Sequence, residues 1–474
     1  MELVSLLSGS NRGAALPGLT VHGRTENVDV TAICYDSRAV RRGSLFCCFR
    51  GLHADGHDHA EAAVAAGAVA LLCERPLHLG VVELRVASAR AAMGPLAATL
   101  NGHPSDRLAV IGVTGTNGKT TTTHLLQAVL EHAGRPCGVI GTLTGARTTP
   151  EAPDLQATLA DMLAEGRQAV AMEVSSHALD LHRVDGTNFA IAVFTNLSMD
   201  HLDYHGDMAA YFHAKAQLFR PDLSQRAVVN LDDRHGRLLR DAADVATVGY
   251  SLDHAVALEL DAAGSSFTWR GHAVRLRLAG RFNVSNAIAA ATTAAEIGID
   301  PEVVADGLSS AGPVEGRFEL IDEGQPFLVV VDYAHTPDGL DQLLTAAREL
   351  VAGRVVVVFG AGGDRDRTKR SPMGAVAATR ADVVVLTSDN PRNEDPAAII
   401  SAVEQGVALV SDHRAVMVET DRRSAISMAL SLARAGDVVV IAGKGHETTQ
   451  VVGDAVTPFD DRLVAKQLLA EMVR

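Results

Sequence analysis

The stretch "AVIGVTGTNGKTTTTHLL", residues 109–126, constrains this chain more than any other. An apolar run enters a turn spaced by Gly112, Gly115 and Gly118, and Lys119 and Thr120 then open a helical pattern. A strand that feeds a helix through a glycine loop belongs to a parallel sheet, because parallel neighbours need a covering crossover between them. Glycines let successive backbone N–H groups close around phosphate oxygens, and the helix N-terminus adds partial positive charge. Lys119 is placed to neutralise phosphate charge and the Thr120 hydroxyl to reach Mg²⁺. The loop departs from the strict G-x-x-x-x-G-K-[ST] pattern, since Val113 stands at its first glycine position. The competing reading is a glycine turn that merely precedes a helix.

The same alternation recurs down the chain. "QAVAMEV" and "FAIAVFT" follow in a middle block, and "FLVVVDY", "RVVVVFG", "ADVVVLT" and "DVVVIAG" alternate with helix-length segments from about residue 319. This pattern predicts a doubly wound domain of its own at the C-terminal end. Before residue 106 the chain reads as short strands with one Ala-rich helix, "HAEAAVAAGAVALLC". Residues 255–278 alternate at period two around glycine turns, which predicts an antiparallel hairpin edge in the middle block.

Polar clusters end several strands, where open α/β sheets place their ligands. Glu173 closes one run, and Asn196, Asp200 and His201 follow another. Magnesium prefers hard oxygens and keeps waters, so Glu173 with Thr120 suffices for one site. His201 reads equally as a ligand or as a hydrogen-bonded structural histidine. Lys215, in "DMAAYFHAKAQLF", has a solvated helix face as its default. "SDNPRNEDP", residues 388–396, carries a rigid Asn-Pro step, one arginine and three acids directly after "ADVVVLT". Pro391 biases Asn390 away from helix and so sets the direction of Arg392.

With 474 residues the chain is too long for one core, and two to four domains are expected. A formal net charge of −15 without a basic tail excludes generic binding to nucleic acid or anionic membrane. The five cysteines, Cys34, Cys47, Cys48, Cys73 and Cys137, have no C-x-x-C spacing, which points to free thiols in a reducing compartment. No signal peptide or membrane-span pattern is visible, so the expected location is the cytoplasm.

Ten motifs bring these features together. "TGTNGKTTT", "EVSSHALDLHR", "FTNLSMDHLDYHG", "AKAQLF", "GRFNVSNAIAA", "GRFE", "DYAHTPDGL", "GGDRDRTKR", "DNPRNEDP" and "GKGHE" occur in the order found in Mur ligases. The chain resembles that family over essentially its whole length. The resemblance implies an α/β fold of three domains: a uridine-nucleotide-binding α/β domain over 1–105, a central P-loop-type ATP-binding parallel-sheet domain over 106–318, and a Rossmann-like doubly wound amino-acid-binding domain over 319–474. It implies an ATP-dependent acid–amino-acid ligase of peptidoglycan synthesis, monomeric, similar to the members that add the third peptide residue. Their substrates are UDP-N-acetylmuramoyl-L-alanyl-D-glutamate and meso-diaminopimelate, with L-lysine as the alternative amino acid.

Carried onto this sequence, the resemblance assigns ATP to Gly115, Thr116, Asn117, Gly118, Lys119, Thr120, Thr121, Asn283, Arg317 and Asp332. Thr120 and Glu173 hold one Mg²⁺, and His201 and Lys215 serve a second site, Lys215 bearing a CO₂-derived carbamate. Ser37, Arg38, Thr148, Thr149, Ser175 and Arg183 match segments that grip the UDP-substrate. Arg365, Asp389, Asn390, Pro391, Arg392, Gly443 and Glu447 surround the diamino acid, and lysine-using members lack the arginine of "DNPR". Leu181 stands where some members carry glutamine. Folylpolyglutamate synthetase, which shares the P-loop and second-site lysine, and a P-loop ATPase acting as switch or motor remain the alternatives. The first leaves "DSRAVRRGSLF" and "DNPR" unexplained.

Overall fold

The computed structural model describes residues 1–9, 16, 18–51, 54–411 and 415–473. Leu52 and His53 of the segment "FRGLHADGHDH" lie outside them. Three mostly parallel sheets follow one another along the chain. The first has five strands in the order Thr20–His22, Val82–Arg85, Ala68–Cys73, Ser44–Cys47 and Ala32–Cys34, with only the first pairing antiparallel.

The central sheet has six parallel strands, ordered Ala246–Tyr250, Arg226–Asn230, Phe189–Phe194, Ala109–Thr114, Ala169–Glu173 and Cys137–Ile140. Its inner strands are mostly apolar because both faces are covered. Ile111 and Val113 pack with Ile191 and Val193 on one face, while Val110 packs with Ala192 and Phe194 on the other. The chain leaves Ala109–Thr114 toward one side of the sheet and later crosses to the other. That reversal opens a crevice at the carboxyl ends, where the phosphate loop lies. In the third sheet the late strand Val438–Ala442 inserts between Leu328–Asp332 and Val355–Phe359, so loops distant in sequence meet at one end. Its edge strand Glu319–Leu320 is antiparallel.

Two expectations are corrected. The Ala-rich run 59–73 is not one helix. It forms helix Ala60–Ala65 and then strand Ala68–Cys73. Gly67 turns the chain between them at φ +112°, and a Cβ there would sit 2.8 Å from Arg42 Cα. Helices Leu3–Gly9 and Ala89–Leu100 also belong to this region. Residues 255–278 do not edge the parallel sheet; they make a separate antiparallel sheet of three strands, Val256–Asp261, Gly264–Trp269 and His272–Leu276. Its inner face, Phe267, Trp269, Val274 and Leu276, packs with Val304 and Leu308 of helix Pro301–Ser310. An apolar stripe on that helix offered a better cover than the sheet edge. Among the described residues no helix is long and apolar enough to cross a membrane.

Candidate active site

The phosphate loop is braced by the neighbouring strand end. Gly115 adopts φ +150°, and a Cβ there would lie 1.9 Å from Thr195 Oγ1. Thr195 Oγ1 instead donates to Asn117 O at 2.6 Å, and Asn117 N donates to Asn196 Oδ1 at 2.9 Å. Thr116 Oγ1 lies 3.2 Å from the Tyr211 hydroxyl, and Thr121 is buried. Lys119 folds back over the loop, its Nζ donating to Gly115 O at 3.0 Å and Thr116 O at 2.8 Å. Thr120 Oγ1 donates to Glu173 Oε1 at 3.0 Å and accepts from Arg317 Nη2 at 3.0 Å.

A cavity of about 210 Å³ opens over this loop, bounded by Glu173, His201, Arg317, Asp332 and Tyr333. A second, of about 390 Å³, shares Asn117, Gly118, Phe282, Asn286 and Gln342 with it. Asn283 is set behind both: its Nδ2 turns back to Ala279 O at 2.9 Å, and Asn286, one turn along the same helix, reaches the cavities instead. The Asp332 carboxylate accepts from Phe318 N and Ala334 N, each at 2.7 Å, and burial pushes its pKa up. Asn117 Nδ2 donates to Asp338 Oδ2 at 3.0 Å, tying the phosphate loop to the third sheet's first helix, Pro337–Leu350. The cleft therefore lies between two domains.

Lys215 does not occupy a solvated face. It is 1% exposed in helix Met208–Ala216, with Nζ donating to Gly115 O at 2.8 Å. The same carbonyl receives Lys119, so two amines share one oxygen. Burial and the Lys119 charge push the Lys215 pKa well below the ordinary lysine range. Asp200 lies 3.5 Å from His201 Nε2, 3.8 Å from His335 Nε2 and 3.9 Å from Lys369 Nζ. Burial opposes ionisation of Asp200, but His335, His201 and Lys369 hold its carboxyl down at about 2. Burial likewise lowers His201 to about 3 and His335 to about 4, so both rings are neutral near pH 7.

The third cavity, about 410 Å³, is bounded by Arg365, Asp389, Asn390, Arg392, Gly443 and Glu447 and shares Asp200, His201, Tyr333 and His335 with the phosphate-loop cavity. The loop after strand Val383–Leu386 divides its acids by task. Glu394 accepts from Arg370 at 2.8 and 3.1 Å and from Asp364 N at 2.7 Å, and Asp395 caps helix Pro396–Val407. Asp389 faces the cavity without a side-chain hydrogen bond among the described residues, and burial pushes its pKa up. Past Pro391, Arg392 sits at φ +51°, a left-handed conformation that costs about 1–2 kcal/mol. Backbone bonds hold it there, Arg392 N to Val451 O at 3.0 Å and Gly453 N to Arg392 O at 2.7 Å. Its Nη1 donates to Gly363 O at 2.7 Å. Among the described residues neither Arg392 nor Arg365 has a carboxylate partner, so a surface pair of Arg392 with Glu394 or Asp395 is not formed.

The remaining candidates lie apart from these cavities or at their margin. Thr148 and Ser175 face the phosphate-loop cavity. Thr149 Oγ1 donates to Glu173 O at 2.9 Å, and Arg183 donates to Thr149 O at 3.3 Å while pairing with Glu151. Ser37 and Arg38 occupy an exposed turn, where Arg38 pairs with Asp36 at 2.7 Å. Leu181 caps the short helix Ser176–Asp180. Residues that sequence reasoning missed include His335 and Lys369, although "DYAHTPDGL" and "GGDRDRTKR" had marked their loops, and Phe282 and Asn286 beside Asn283.

Known proteins share this fold. The profiles described as Mur ligase family, catalytic domain; Mur ligase middle domain; and Mur ligase, glutamate ligase domain match residues 29–111, 113–294 and 316–445. The chain belongs to the Mur ligase family. Its three-domain α/β architecture is that of the family, with ATP binding in the central parallel-sheet domain. It is 46% identical to the UDP-N-acetylmuramoyl-L-alanyl-D-glutamate–2,6-diaminopimelate ligase of Streptomyces avermitilis, over 97% of this chain and 95% of that protein. It is 45% identical to the ligase of the same name from Geobacillus thermodenitrificans, over 99% of this chain and 100% of that one. A solved structure of a UDP-N-acetylmuramoyl-L-alanyl-D-glutamate–2,6-diaminopimelate ligase superposes with TM-score 0.67 at 36% identity, covering 95% of this chain and 97% of that chain.

Proposed function

We propose that this chain joins meso-2,6-diaminopimelate to the γ-carboxylate of D-glutamate in UDP-N-acetylmuramoyl-L-alanyl-D-glutamate, at the expense of ATP, as a cytoplasmic step of peptidoglycan synthesis. One observation carries the reading. Two arginines without carboxylate partners among the described residues, Arg365 and Arg392, face a cavity that shares Asp200, His201, Tyr333 and His335 with the phosphate-loop cavity. A planar guanidinium matches a carboxylate with two parallel hydrogen bonds. Diaminopimelate brings a carboxylate at each end, whereas lysine brings one. The relatives named for this activity support the same substrate.

In this reading residues 1–105 hold the uridine nucleotide, 106–318 ATP, and 319–474 the amino acid. Ser37, Arg38, Thr148, Thr149, Ser175 and Arg183 grip the UDP-substrate. The D-glutamate γ-carboxylate attacks the γ-phosphorus, ADP leaves, and an acyl phosphate remains. The amine of diaminopimelate attacks its carbonyl carbon, and the tetrahedral adduct collapses to the amide with loss of phosphate. Two anions must approach in the first step, so positive charge decides the rate. Lys119 exchanges its loop carbonyls for phosphate oxygens, and Arg317 stands beside Thr120 as a further cation. Closure of the cleft keeps water from the acyl phosphate.

The residues fit two magnesium ions if Lys215 is modified. Thr120 and Glu173 offer adjacent hard oxygens, and among the described residues no group of three or more His, Cys, Asp or Glu could hold a metal alone. His201 with an unmodified lysine amine is a poor magnesium site. The Lys215 amine, buried and beside Lys119, gives up its proton readily; a neutral amine adds to CO₂, releases a proton and becomes a carboxylate-like carbamate. Bound there, the ions supply Lewis-acid neutralisation of the phosphate oxygens.

The test is product mass. Incubation with the UDP-dipeptide, ATP and Mg²⁺ yields the tripeptide only with meso-diaminopimelate, and ADP release beyond one equivalent per site requires both acceptor and amine. Sustained ADP release without amino acid points instead to a switch or motor ATPase, and extension of a folate by glutamate to a folylpolyglutamate synthetase.

A further inference from the structure

Two cations of the third domain are wholly removed from solvent and have no part in the chemistry above: Lys444, 0% exposed, and Arg422, 1% exposed. Lys444 follows Gly443 at the end of strand Val438–Ala442. Its ammonium has three protons to donate. They reach Thr449 O at 2.7 Å, Asn390 Oδ1 at 3.2 Å and Glu447 Oε2 at 3.2 Å. This fixes the Asn390 amide, whose Oδ1 also accepts from Val451 N at 3.0 Å and whose Nδ2 donates to Glu447 Oε2 at 2.7 Å. Glu447 thus has one oxygen held by two donors, and its other oxygen has no protein partner among the described residues where the side chain borders the 410 Å³ cavity.

Arg422 works from beneath. It pairs with Asp461 at 2.7 and 2.8 Å, both side chains fully buried, and donates to Ser388 O at 3.2 Å and Ala442 O at 3.0 Å. Ser388 and Ala442 immediately precede Asp389 and Gly443. One guanidinium therefore clamps the two strand ends that bring the cavity its acidic wall. A buried ion pair is a weak source of stability compared with apolar side chains of the same volume, so its use here favours orientation.

We propose that Lys444 and Arg422 are positioning residues for the incoming diamino acid: Lys444 aims the Glu447 carboxylate at a substrate ammonium, and Arg422 locks the strand ends that carry Asp389 and Gly443. The proposal rests on assigning this cavity to the amino acid. It deepens that assignment, because the wall then recognises ammonium groups while Arg365 and Arg392 recognise carboxylates. Charge supports the geometry. Burial raises the Asp389 pKa and Glu447 and Asp461 add to the rise, whereas Arg422 and Lys444 oppose it. Tyr333 borders the same cavity, and burial with the Glu447 charge raises its phenol to about 12. Loss of Lys444 leaves Asp389 more easily protonated, so the damage to amino-acid binding grows as pH falls.

The test is steady-state kinetics of the full chain with Lys444→Met, and separately with Arg422→Met combined with Asp461→Leu, which leaves no unpaired buried charge. In each folded variant, checked by its thermal unfolding midpoint, KM for meso-diaminopimelate rises about 10- to 100-fold, the order found where a side chain that orients a metal ligand is removed. KM for ATP and for the UDP-dipeptide stays essentially unchanged, and the acidic limb of the amino-acid kcat/KM moves to higher pH in Lys444→Met. Unchanged KM for the diamino acid, or equal losses for all three substrates, overturns the positioning role. A wild-type enzyme whose ATP turnover ignores diaminopimelate overturns the cavity assignment itself, a separate outcome visible in the control.

Discussion

Two lysines, one in the central domain and one in the third, are no more than 1% exposed, and their surroundings could hardly differ more. Lys444, at 0% exposure, has a carboxylate, an amide oxygen and a carbonyl, one partner for each proton. Lys215, at 1%, has one carbonyl that it shares with another lysine, and its Nζ lies 4.6 Å above the Tyr211 ring. Burial alone therefore does not give a lysine its role. A buried ammonium whose protons all meet acceptors serves as scaffold; a buried amine beside a cation is pushed toward its neutral, reactive form.

The largest effect should come from the lysine that neither describes. Lys119→Ala removes the charge facing the phosphates, and ligation falls by at least about a hundredfold while the unfolding midpoint is retained. A variant keeping more than about a tenth of wild-type turnover contradicts that role. Lys215→Ala is next: nearly inactive, and partly restored by formate or acetate in the vacated position. The same additives should restore nothing to Lys444→Met. Rescue of both, or of neither alongside a fully active Lys215→Ala, erases the contrast between the two lysines.

The smallest effect concerns stability. Glu394 is held by Arg370 with its pKa lowered to about 2, and Arg367 lies 3.1 Å away. Its folded pKa lies below the unfolded value of about 4.3, so its contribution is full above that value and is lost as pH falls through about 2. Glu394→Gln should cost about 1–3 kcal/mol in urea unfolding at neutral pH, with the difference from wild type shrinking as the acid is protonated. A difference that persists unchanged in acid would show that packing, not charge, is lost.

The central and third parallel sheets were legible because strands covered on both faces read as apolar runs, valine-rich in the third. The Ala-rich run 59–73 misled because alanine suits a helix and a buried strand alike, and only the turn at Gly67 divides it. Thr120 and Glu173, 53 residues apart, were legible together because both sit at strand or helix ends in motifs of known chemistry. The partners of Lys444 and Arg422 were not, since Thr449, Ser388 and Asp461 are joined only by the insertion of strand Val438–Ala442 into the third sheet. Nothing in "DNPR" announces that Arg392 is left-handed, because the hairpin Thr449–Pro458 that holds it there lies more than fifty residues on.

Arg392 is where the account is most exposed. Its guanidinium is assigned to the distal carboxylate that distinguishes diaminopimelate from lysine, and removing it leaves that carboxylate desolvated and unpaired, a loss of about 2–5 kcal/mol. The decisive measurement is kcat/KM for meso-diaminopimelate and for L-lysine with wild type and Arg392→Ala. The account predicts a loss of about 30-fold to several-thousand-fold on diaminopimelate, with the low activity on lysine falling little. Equal proportional losses on the two amino acids, or a wild-type preference for lysine, would contradict it.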